Sequence, residues 1–270
     1  MAKSLNGAEL AGFIKERQAK QVRMLRQAHG IQPKLAIIMT PKAGQVIGVY
    51  VKGKRAYADD ILVETIEHIC EQSEMTEVIK QYNADQTVQG IIVQLPLDNP
   101  GETDEIINAV APAKDVDGLG EQAAYPSATA EAISWLCSGY SVNLDKSQIA
   151  IVGQGRLVGR PLTAMWKADG YNVTPVDIDT AGRDKILQTS DVIVSAAGVP
   201  RLITPGLVKQ GAVVIDAGTA SENGTLVGDV AEGVRERKDI SITPIKGGVG
   251  PLTIAVLFDH LIAACLKQVN

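Results

Sequence analysis

Two residues that can exchange protons lie four positions apart near residue 50. Tyr50 and Lys54 begin and end the segment Tyr-Val-Lys-Gly-Lys, and on a helix this spacing places two side chains on one face. A neutral amine can take a proton from water, and the nearby positive charges of Lys52 and Arg55 favour the neutral form of Lys54. The pattern indicates an acid–base site, while a merely solvated lysine remains the structural alternative.

Two further polar residues stand where a ligand could reach them. Gln94 closes the apolar run Gly90-Ile-Ile-Val, and its amide can both donate and accept a hydrogen bond. Asp117 lies in the segment Lys-Asp-Val-Asp-Gly, and its carboxylate could accept two hydrogen bonds from an aminopyrimidine edge. A capping role for Gln94 and a plain turn at Asp117 are the alternatives.

A glycine-rich turn follows the predicted strand Ile149–Val152 and precedes a predicted helix. Its glycines are Gly153, Gly155 and Gly159, in the pattern GxGxxxG with Gln154 inside it. Glycines allow a tight turn and a close approach of a pyrophosphate, which the helix N-terminus stabilises. The turn predicts dinucleotide binding, although a glycine-rich turn can also be purely structural.

An acidic residue ends the strand that follows this helix. Asp177, next to Ile178, comes eighteen residues after Gly159, close to the spacing at which a carboxylate binds the ribose 2′-hydroxyl of NAD. A carboxylate there repels the 2′-phosphate of NADP, so Asp177 favours NAD. A solvated loop acid is the alternative.

Two loops with small residues follow later strands. The segment 195–200 contains Ala197 and Gly198, and the segment 216–219 ends at Thr219. Their small side chains would let the backbone approach a flat cofactor, and plain turns are equally compatible with either loop alone. We include Ile178, Ala197, Gly198 and Thr219 in the predicted cofactor site.

The elements that must position these residues alternate between strands and helices. In the first part of the chain, Lys34–Met39 and Gln89–Leu95 read as buried strands. Helices are predicted over Ser4–Gly30, from about Tyr50 to Ser73, and over Glu102–Val110. Such alternation predicts a parallel sheet covered by helices.

The alternation restarts after a segment rich in Pro, Gly and Asp at Pro112–Pro126, the best candidate for a domain boundary. It then follows the pattern of a doubly wound fold, whose ligands lie beyond the carboxyl ends of the strands. The predicted helices and strands are Ala128–Cys137, Ile149–Val152, Leu157–Ala168, Asn172–Val176, Arg183–Thr189, Asp191–Ser195, Ala212–Asp216 and a final helix Pro251–Val269.

Composition limits the class of partner. The chain has 270 residues, a net charge of −5, 4% aromatic residues and no basic run longer than two residues, so nucleic-acid binding is not expected. Three widely spaced cysteines, Cys70, Cys137 and Cys265, form no metal-binding pattern. No segment reads as a signal peptide or a membrane span, so we expect a cytoplasmic protein with neither a metal nor a membrane partner.

Six segments, in order along nearly the whole chain, resemble the bifunctional methylenetetrahydrofolate dehydrogenase/methenyltetrahydrofolate cyclohydrolase family. They contain Tyr50 and Lys54, Gln94, Asp117, the glycine turn, a Val-Gly-Asp-Val sequence and a Gly-Gly-Val-Gly-Pro sequence. The segments are Tyr50–Lys54, Gly90–Leu97, Lys114–Gly118, Gly153–Gly159, Val227–Val230 and Gly247–Thr253.

The resemblance implies a two-step reaction at the predicted site. A methylene group of the folate passes a hydride to nicotinamide, and water then attacks the methenyl carbon. By resemblance Lys54 is general base and acid in the hydrolysis, Gln94 and Tyr50 tune and place it, and Asp117 holds the pterin. Further predicted substrate contacts are Val93, Leu95, Gly247, Gly248, Val249, Gly250 and Pro251.

The resemblance also implies a two-lobed α/β fold. Residues 1–120 with the C-terminal helix 251–270 would form the substrate domain, and residues 121–250 a Rossmann-type, doubly wound dinucleotide-binding domain. The family commonly forms homodimers, and we expect one here.

This chain departs from the family pattern at several positions. Ile47 stands three residues before Tyr50, where the family has Ser, and Ser127 and Ala128 replace Cys and Thr. The family's Gly-Arg-Ser reads Gly153-Gln-Gly155, and Lys246 replaces a Pro. Losing that Arg and Ser removes contacts to a 2′-phosphate, so NAD is favoured over NADP. A monofunctional dehydrogenase on a folate or related pterin, and a non-catalytic nucleotide-binding homologue, remain as alternatives.

Overall fold

The computed structural model describes residues 3–42, 45–222 and 225–269. Its α-helices are α1 (Gly7–His29), α2 (Gln45–Ile61), α3 (Met75–Ala84), α4 (Thr103–Asn108), α5 (Ala128–Gly139), α6 (Gly159–Ala168), α7 (Arg183–Thr189), α8 (Glu232–Arg235) and α9 (Val249–Leu266). Its strands are β1 (Lys3–Ser4), β2 (Lys34–Met39), β3 (Glu64–Ile69), β4 (Gly90–Val93), β5 (Ile149–Val152), β6 (Val173–Val176), β7 (Val192–Ser195), β8 (Val213–Asp216), β9 (Ala220–Glu222), β10 (Thr225–Val227) and β11 (Ser241–Ile242).

The chain divides into two compact units. The N-terminal unit comprises Gly12–Ala128 and Ile254–Asn270, and the C-terminal unit comprises Met1–Ala11 and Thr129–Thr253. The domain boundaries predicted from the sequence lie at residues 120 and 250, and the whole N-terminus was predicted to belong to the substrate domain. In the structure β1 instead pairs with β11, so the start of the chain joins the sheet of the C-terminal unit.

A parallel sheet forms the middle of the C-terminal unit. Its order is β1-β11-β8-β7-β5-β6, and every pairing in it is parallel. From β5 the chain leads to β6 on one side and then to β7 on the other. In doubly wound folds ligands bind beyond the carboxyl ends of the strands at such a switch point. The predicted doubly wound fold is confirmed, and a ligand is therefore expected at the loops after β5 and β7.

The N-terminal unit contains a smaller parallel sheet in the order β3-β2-β4. Beyond β4 the Lys114–Gly118 segment continues the sheet, since Ile91 forms a parallel bridge with Asp115 and donates its N–H to the Lys114 carbonyl at 2.8 Å. Apolar side chains that pack on this sheet form a buried hydrophobic cluster. The structure thereby brings Gln94, at the end of β4, close in the sheet to the Asp117 segment.

The predicted helix from Tyr50 to Ser73 is wrong in its second half. Helix α2 ends at Ile61, and Glu64–Ile69 forms β3 in register with β2. The residues of β3 are exposed or partly buried and none is buried, as expected for a strand at the edge of a sheet. Its polar residues also suit a helix, so the predicted helix extended through it.

The final helix, α9, is the longest apolar element. It begins at Val249 rather than at the predicted Pro251, which lies in the first turn, where a missing N–H breaks no helical bond. Its length and its mean hydropathy of 1.9 would suit a membrane span, but 61% of it is buried inside the fold. A helix buried to this extent is a core helix, so its composition is weak support for a membrane span.

Candidate active site

Lys54 and Gln94 form the polar centre of the N-terminal unit. Lys54 Nζ donates a hydrogen bond to Gln94 Oε1 at 2.8 Å, and the lysine is only 7% exposed. Gln94 Nε2 donates to the Leu95 carbonyl at 3.2 Å, and the Gln94 backbone N–H donates to the Ile38 carbonyl at 2.8 Å. The amide is thus oriented with its oxygen toward the amine.

Helix α2 is held in place by contacts one turn after Lys54. Tyr57 stacks on Phe258 of α9 with ring centroids 5.3 Å apart and donates its hydroxyl proton to Gln18 Oε1 at 2.8 Å. Gln18 is fully buried in α1 and donates to the Ala255 carbonyl at 2.8 Å. Three helices are therefore tied together beside Lys54, which limits its freedom.

Burial, and not neighbouring positive charge, controls the protonation of Lys54. Desolvation lowers the Lys54 pKa from 10.5, and the negative charge of Asp117 partly opposes this shift. Lys52 and Arg55, the cations expected to favour the neutral amine, are both exposed, and Arg55 Nη1 lies 3.4 Å from Glu67 Oε1. The expected direction is confirmed, but the predicted cause is wrong.

Asp117 belongs to a shaped loop. Asp115 accepts hydrogen bonds from the backbone N–H groups of Gly118, Leu119 and Gly120 at 2.8–3.1 Å, which fixes the turn after Asp117. Burial raises the Asp117 pKa, while the charge of Lys54 lowers it and that of Asp115 raises it. Asp117 is therefore oriented by its own loop and electrostatically coupled to Lys54.

Helix α9 also contacts this loop, through a residue that the sequence analysis missed. His260 is 5% exposed, and its Nδ1 lies 2.8 Å from the Val116 carbonyl, next to Asp117. A carbonyl can only accept, so Nδ1 carries a proton and donates. The ring also stacks on Tyr125 with centroids 4.9 Å apart. A histidine within an apolar helix gives little signal in the sequence.

A small cavity of about 10 Å³ adjoins the two carboxylates. Its lining includes Asp115, Asp117 and Val93, together with apolar residues of the N-terminal unit. This volume is comparable to the space of one water molecule. The Asp117 side chain therefore borders a small polar space within an apolar surround.

The remaining residues predicted in this unit lie on α2 and at or just after the end of β4. Tyr50 is partly exposed on α2, one turn before Lys54. Val93 is buried in the hydrophobic cluster of the sheet, and Leu95 packs against that cluster. These placements show how the backbone is supported, while the substrate contacts of the three residues stay predictions. Ile47 lies in α2, and its side chain is outside the described part of the structure.

In the C-terminal unit, packing explains two of the three glycines of the turn after β5. Gly153 has φ +85°, and a Cβ there would lie 2.6 Å from the Ala197 Cα. A Cβ on Gly159 would lie 1.7 Å from the Gly153 carbonyl oxygen. At Gly155, by contrast, a Cβ would meet nothing within 4 Å. Packing within the chain does not require glycine there, whereas a close ligand would.

The Gln154 side chain is turned into the fold. Its Nε2 donates to the Ile151 carbonyl at 3.1 Å, and its Oε1 accepts from the Thr163 hydroxyl at 3.1 Å. It therefore braces the turn between β5 and α6. The predicted cofactor contact of Gln154 stays a prediction and is best assigned to its backbone.

The acidic residue after β6 is well placed for a ligand. Asp177 is exposed, and its Oδ1 accepts from the Ile178 backbone N–H at 2.9 Å. Ile178 is 81% exposed, which is unusual for so large an apolar side chain. An exposed carboxylate and an exposed apolar side chain thus follow β6, and their contact with a cofactor stays a prediction.

The loops after β7 and β8 are held by a buried carboxylate, Asp229, from the Val-Gly-Asp-Val sequence. It accepts from the Ala197 N–H at 2.7 Å and from the Gly198 N–H at 3.3 Å. Gly198 has φ +66°, and Thr219 after β8 is exposed. Ala197, Gly198 and Thr219 therefore lie at the carboxyl ends of the strands near the switch point.

The Gly-Gly-Val-Gly-Pro sequence belongs to the C-terminal unit, whereas Lys54, Gln94 and Asp117 belong to the N-terminal unit. A Cβ on Gly7 would lie 2.0 Å from the Gly248 carbonyl oxygen, so packing requires glycine at Gly7, whereas a Cβ on Gly248 itself would lie 3.2 Å from the Pro244 carbonyl oxygen. Val249 is buried, whereas Gly250 is exposed with open space at its Cβ position, and Pro251 and Gly247 are partly buried. Substrate contact by these residues stays a prediction.

Within the described ranges, no group of three or more His, Cys, Asp or Glu side chains could hold a metal ion. The three cysteines are buried and unpaired as disulfides.

Comparison with known proteins gives consistent results over the whole chain. The family described as tetrahydrofolate dehydrogenase/cyclohydrolase matches with its catalytic domain over residues 5–117 and its NAD(P)-binding domain over residues 127–269. A curated relative, the bifunctional protein FolD of Streptococcus pyogenes, is 35% identical over 100% of both chains.

Solved structures are similar as well. The bifunctional FolD enzyme of Campylobacter jejuni has a TM-score of 0.91 at 29% identity and covers 99% of this chain and 100% of its own. The Trypanosoma brucei methylenetetrahydrofolate dehydrogenase-cyclohydrolase, solved with NADP and an inhibitor, has a TM-score of 0.92 at 27% identity. That alignment covers 100% of this chain and 99% of the other.

Proposed function

Because the chain belongs to the tetrahydrofolate dehydrogenase/cyclohydrolase family, we propose that it catalyses both reactions of that name. It oxidises 5,10-methylenetetrahydrofolate with a nicotinamide cofactor. It then hydrolyses 5,10-methenyltetrahydrofolate to 10-formyltetrahydrofolate. The observation that carries the second activity is the buried Lys54 amine, 2.8 Å from Gln94 Oε1, with a lowered pKa.

The hydrolysis follows from the chemistry of this amine. In its neutral form, Lys54 takes a proton from the water that attacks the methenyl carbon. The resulting ammonium gives a proton to the folate N5 as the bond between N5 and that carbon breaks, and the adduct's hydroxyl then releases its own proton to the amine as the formyl C=O forms. Gln94 fixes the position of the amine through its amide oxygen, and Asp117 accepts hydrogen bonds from the pterin. Desolvation by burial lowers the Lys54 pKa and so favours the uncharged amine.

The cofactor residues fit a dinucleotide. Nicotinamide, when bound, supplies the acceptor for the hydride, and the chain supplies positioning. The open space at Gly155 would accommodate a pyrophosphate next to the N-terminus of α6, whose first N–H groups have no partner within the helix. Exposed Asp177 and Ile178 would hold the adenosine end.

We infer that the preferred cofactor is NAD rather than NADP. The exposed Asp177 carboxylate favours a ribose 2′-hydroxyl and repels a 2′-phosphate. The relative from Trypanosoma brucei was solved with NADP, and it differs in sequence at 73% of aligned positions (100 − 27). The preference is tested by comparing kcat/KM for the two cofactors in this chain.

We also propose that the protein acts in the cytoplasm as a homodimer, without a nucleic-acid or membrane partner. The low aromatic content and the net charge of −5 argue against a nucleic-acid partner. The homodimer is proposed because the family commonly forms homodimers. Light scattering coupled to size exclusion tests the dimer, because a single mass near 28.6 kDa would contradict it.

The decisive experiment on function supplies each substrate separately. Wild-type protein with 5,10-methylenetetrahydrofolate and NAD or NADP should reduce the cofactor with little methenyl accumulation. Lys54→Met should reduce the cofactor and accumulate methenyltetrahydrofolate, which has its own absorbance. The matched control Lys80→Met removes an exposed lysine of α3 and should behave as wild type. Loss of cofactor reduction in the wild type would favour a non-catalytic homologue.

A second outcome separates the bifunctional enzyme from a monofunctional dehydrogenase. If wild-type protein itself accumulates methenyltetrahydrofolate as fast as Lys54→Met does, the hydrolysis is absent and the chain is a dehydrogenase only.

A further inference from the structure

The loops after β7 and β8 are bound to one buried carboxylate. Asp229 is 0% exposed, and its Oδ2 accepts hydrogen bonds from the Ser195 hydroxyl at 2.8 Å and from the Ala197 N–H at 2.7 Å. The Gly198 N–H approaches the same oxygen at 3.3 Å. Three donors from one loop therefore converge on a single oxygen.

The same carboxylate contacts the loop after β8. A Cβ on Gly218 would lie 2.1 Å from Asp229 Oδ1, so the backbone of this loop packs directly on the acid. Oδ1 is buried and has no hydrogen-bond partner in the described part of the chain. An unpartnered oxygen on a buried carboxylate costs stability. A residue that served stability alone would not need such an unpartnered oxygen.

A second carboxylate holds Asp229 in turn. The backbone N–H of Asp229 donates to Asp216 Oδ1 at 3.0 Å, and that of Val230 donates to Asp216 Oδ2 at 3.1 Å. Arg235 pairs with Asp216 and also donates to the Thr243 carbonyl at 2.7 Å. Arg235 is the cation paired with Asp216, which leaves Asp229 to be stabilised by backbone and hydroxyl donors.

These bonds fix the backbone at Ala197 and Gly198, next to Ala196, whose N–H donates to the Val152 carbonyl at 2.8 Å. Gly198 is exposed with φ +66°, and the backbone before it packs against Gly153 of the glycine turn. Without an acceptor at Asp229, the N–H groups of Ala197 and Gly198 would turn toward water. The loop would then lose the conformation that faces the carboxyl ends of β5 and β7.

We propose that Asp229 is a positioning residue for the nicotinamide dinucleotide, which acts by fixing the backbone of Ala197 and Gly198. The inference rests on the proposed function, because it assumes that this loop contacts the cofactor. Asp229 is buried beneath the loop and does not itself touch the dinucleotide.

The test measures cofactor binding and folate hydrolysis separately. The dissociation constants of NADH and NADPH are obtained from nicotinamide fluorescence for wild type, Asp229→Asn and Asp229→Ala. Hydrolysis is measured on supplied methenyltetrahydrofolate, which needs no nicotinamide. We expect weakening of about tenfold in Asp229→Ala and about threefold in Asp229→Asn, because a neutral amide accepts more weakly than a carboxylate. Hydrolysis should stay within about twofold of wild type.

Asp191→Asn is the matched control. Asp191 lies just before β7, at the end of the strand away from Ser195, and accepts from the Gln148 N–H at 2.7 Å and from Lys209 Nζ at 2.6 Å. Like the Asp229 substitutions, Asp191→Asn removes charge-assisted hydrogen bonds from the C-terminal unit. We expect cofactor binding to be unchanged in this variant.

Several results would overturn the proposal. They are unchanged binding of both cofactors in Asp229→Asn, equal weakening in Asp191→Asn, or a fall in hydrolysis that parallels the fall in binding. If Asp229→Ala does not fold, Asp229→Asn alone decides. Failure of the proposed function is a different result, namely a wild type that binds cofactor and reduces neither NAD nor NADP in the presence of the folate.

Discussion

At the scale of single residues, the chemistry depends on opposing influences on one amine. Burial lowers the Lys54 pKa from 10.5, and the Asp117 charge raises it. Between the folded-state pKa and 10.5 the unfolded chain binds a proton that the folded chain lacks. The free energy of unfolding therefore rises with pH through that window, and the cost of burying the ammonium is fully present below it.

Removing the Asp117 charge should move the pH profile of hydrolysis. In wild type, kcat for supplied methenyltetrahydrofolate should rise with pH as Lys54 loses its proton. Asp117→Asn removes the influence that raises the Lys54 pKa, so the inflection should move to lower pH. KM should rise because a pterin contact is lost. The profile is measured at saturating substrate and corrected for spontaneous hydrolysis; an inflection that stays in place or moves upward would contradict the role of Asp117.

The preference between the two cofactors should depend on Asp177. Asp177→Ser removes a like charge from the site of a 2′-phosphate, so kcat/KM for NADP relative to NAD should rise by roughly tenfold or more. The matched control is Asp179→Ser, which removes an exposed acid two residues away. Steady-state kinetics with both cofactors measure the ratio, and an equal change in the two variants would show a general charge effect.

At the scale of elements, the contact between β5 and α6 separates two roles of glycine. Gly159 and Gly153 permit a close approach of helix and strand, as the 1.7 Å distance from a Cβ on Gly159 shows. A Cβ on Gly155 would meet nothing within 4 Å, so the approach of helix and strand does not require glycine there. The same motif therefore contains two glycines required by packing and one, Gly155, that packing within the chain does not require.

Two alanine substitutions should distinguish these roles. Gly155→Ala should leave the thermal midpoint unchanged within error and weaken NADH binding, because its methyl group would occupy the approach of the pyrophosphate. Gly159→Ala should lower the free energy of unfolding by roughly 1–3 kcal/mol, since helix and strand must separate. Thermal unfolding and NADH titration give the two readings. Tight NADH binding by Gly155→Ala would show that the turn does not face the cofactor.

Helix α9 has a comparable role in the N-terminal unit. His260 Nδ1 donates to the Val116 carbonyl beside Asp117, and an asparagine can place its amide N–H at the same point. We expect His260→Leu to raise KM for methenyltetrahydrofolate several-fold with a smaller change in kcat, and His260→Asn to restore most of the loss. Equal effects of the two substitutions would mean that ring packing on Tyr125, and not the hydrogen bond, is what matters.

At the scale of the whole molecule, the chain forms two units with separate buried cores. One core packs on the β3-β2-β4 sheet and the other on the sheet that contains β5 and β7. The residues proposed for hydrolysis belong to the first unit, and those proposed for the dinucleotide belong to the second. Binding of the dinucleotide and hydrolysis of supplied methenyltetrahydrofolate can therefore be assayed separately.

Both tryptophans, Trp135 and Trp166, belong to the C-terminal unit, so their fluorescence reports its unfolding. A ligand that binds only the folded state adds about 2.7 kcal/mol at a hundredfold excess over its dissociation constant. NADH at that excess should raise the denaturant midpoint followed by tryptophan fluorescence, and NADPH at the same concentration should raise it less. No shift with either cofactor would place the dinucleotide site elsewhere.

The amino-acid sequence by itself determined those features that depend on local pattern. Short apolar runs predicted β2 and β5, and the glycine spacing predicted the turn at Gly153, because strand burial and positive φ leave marks on neighbouring residues. Strand β3 was not predicted, since this half-exposed edge strand has polar residues that also suit a helix. Helix α9 was predicted with its start two residues late.

Only the tertiary structure decided which distant groups meet and how far they are buried. The sequence attributed the neutral form of Lys54 to adjacent cations, whereas its pKa is lowered by burial among residues brought together from α2 and β4. The bonds of Asp229 to Ala197, and of His260 to Val116, join positions 32 and 144 residues apart. Desolvation and hydrogen bonding depend on distance in space, and no local pattern encodes them.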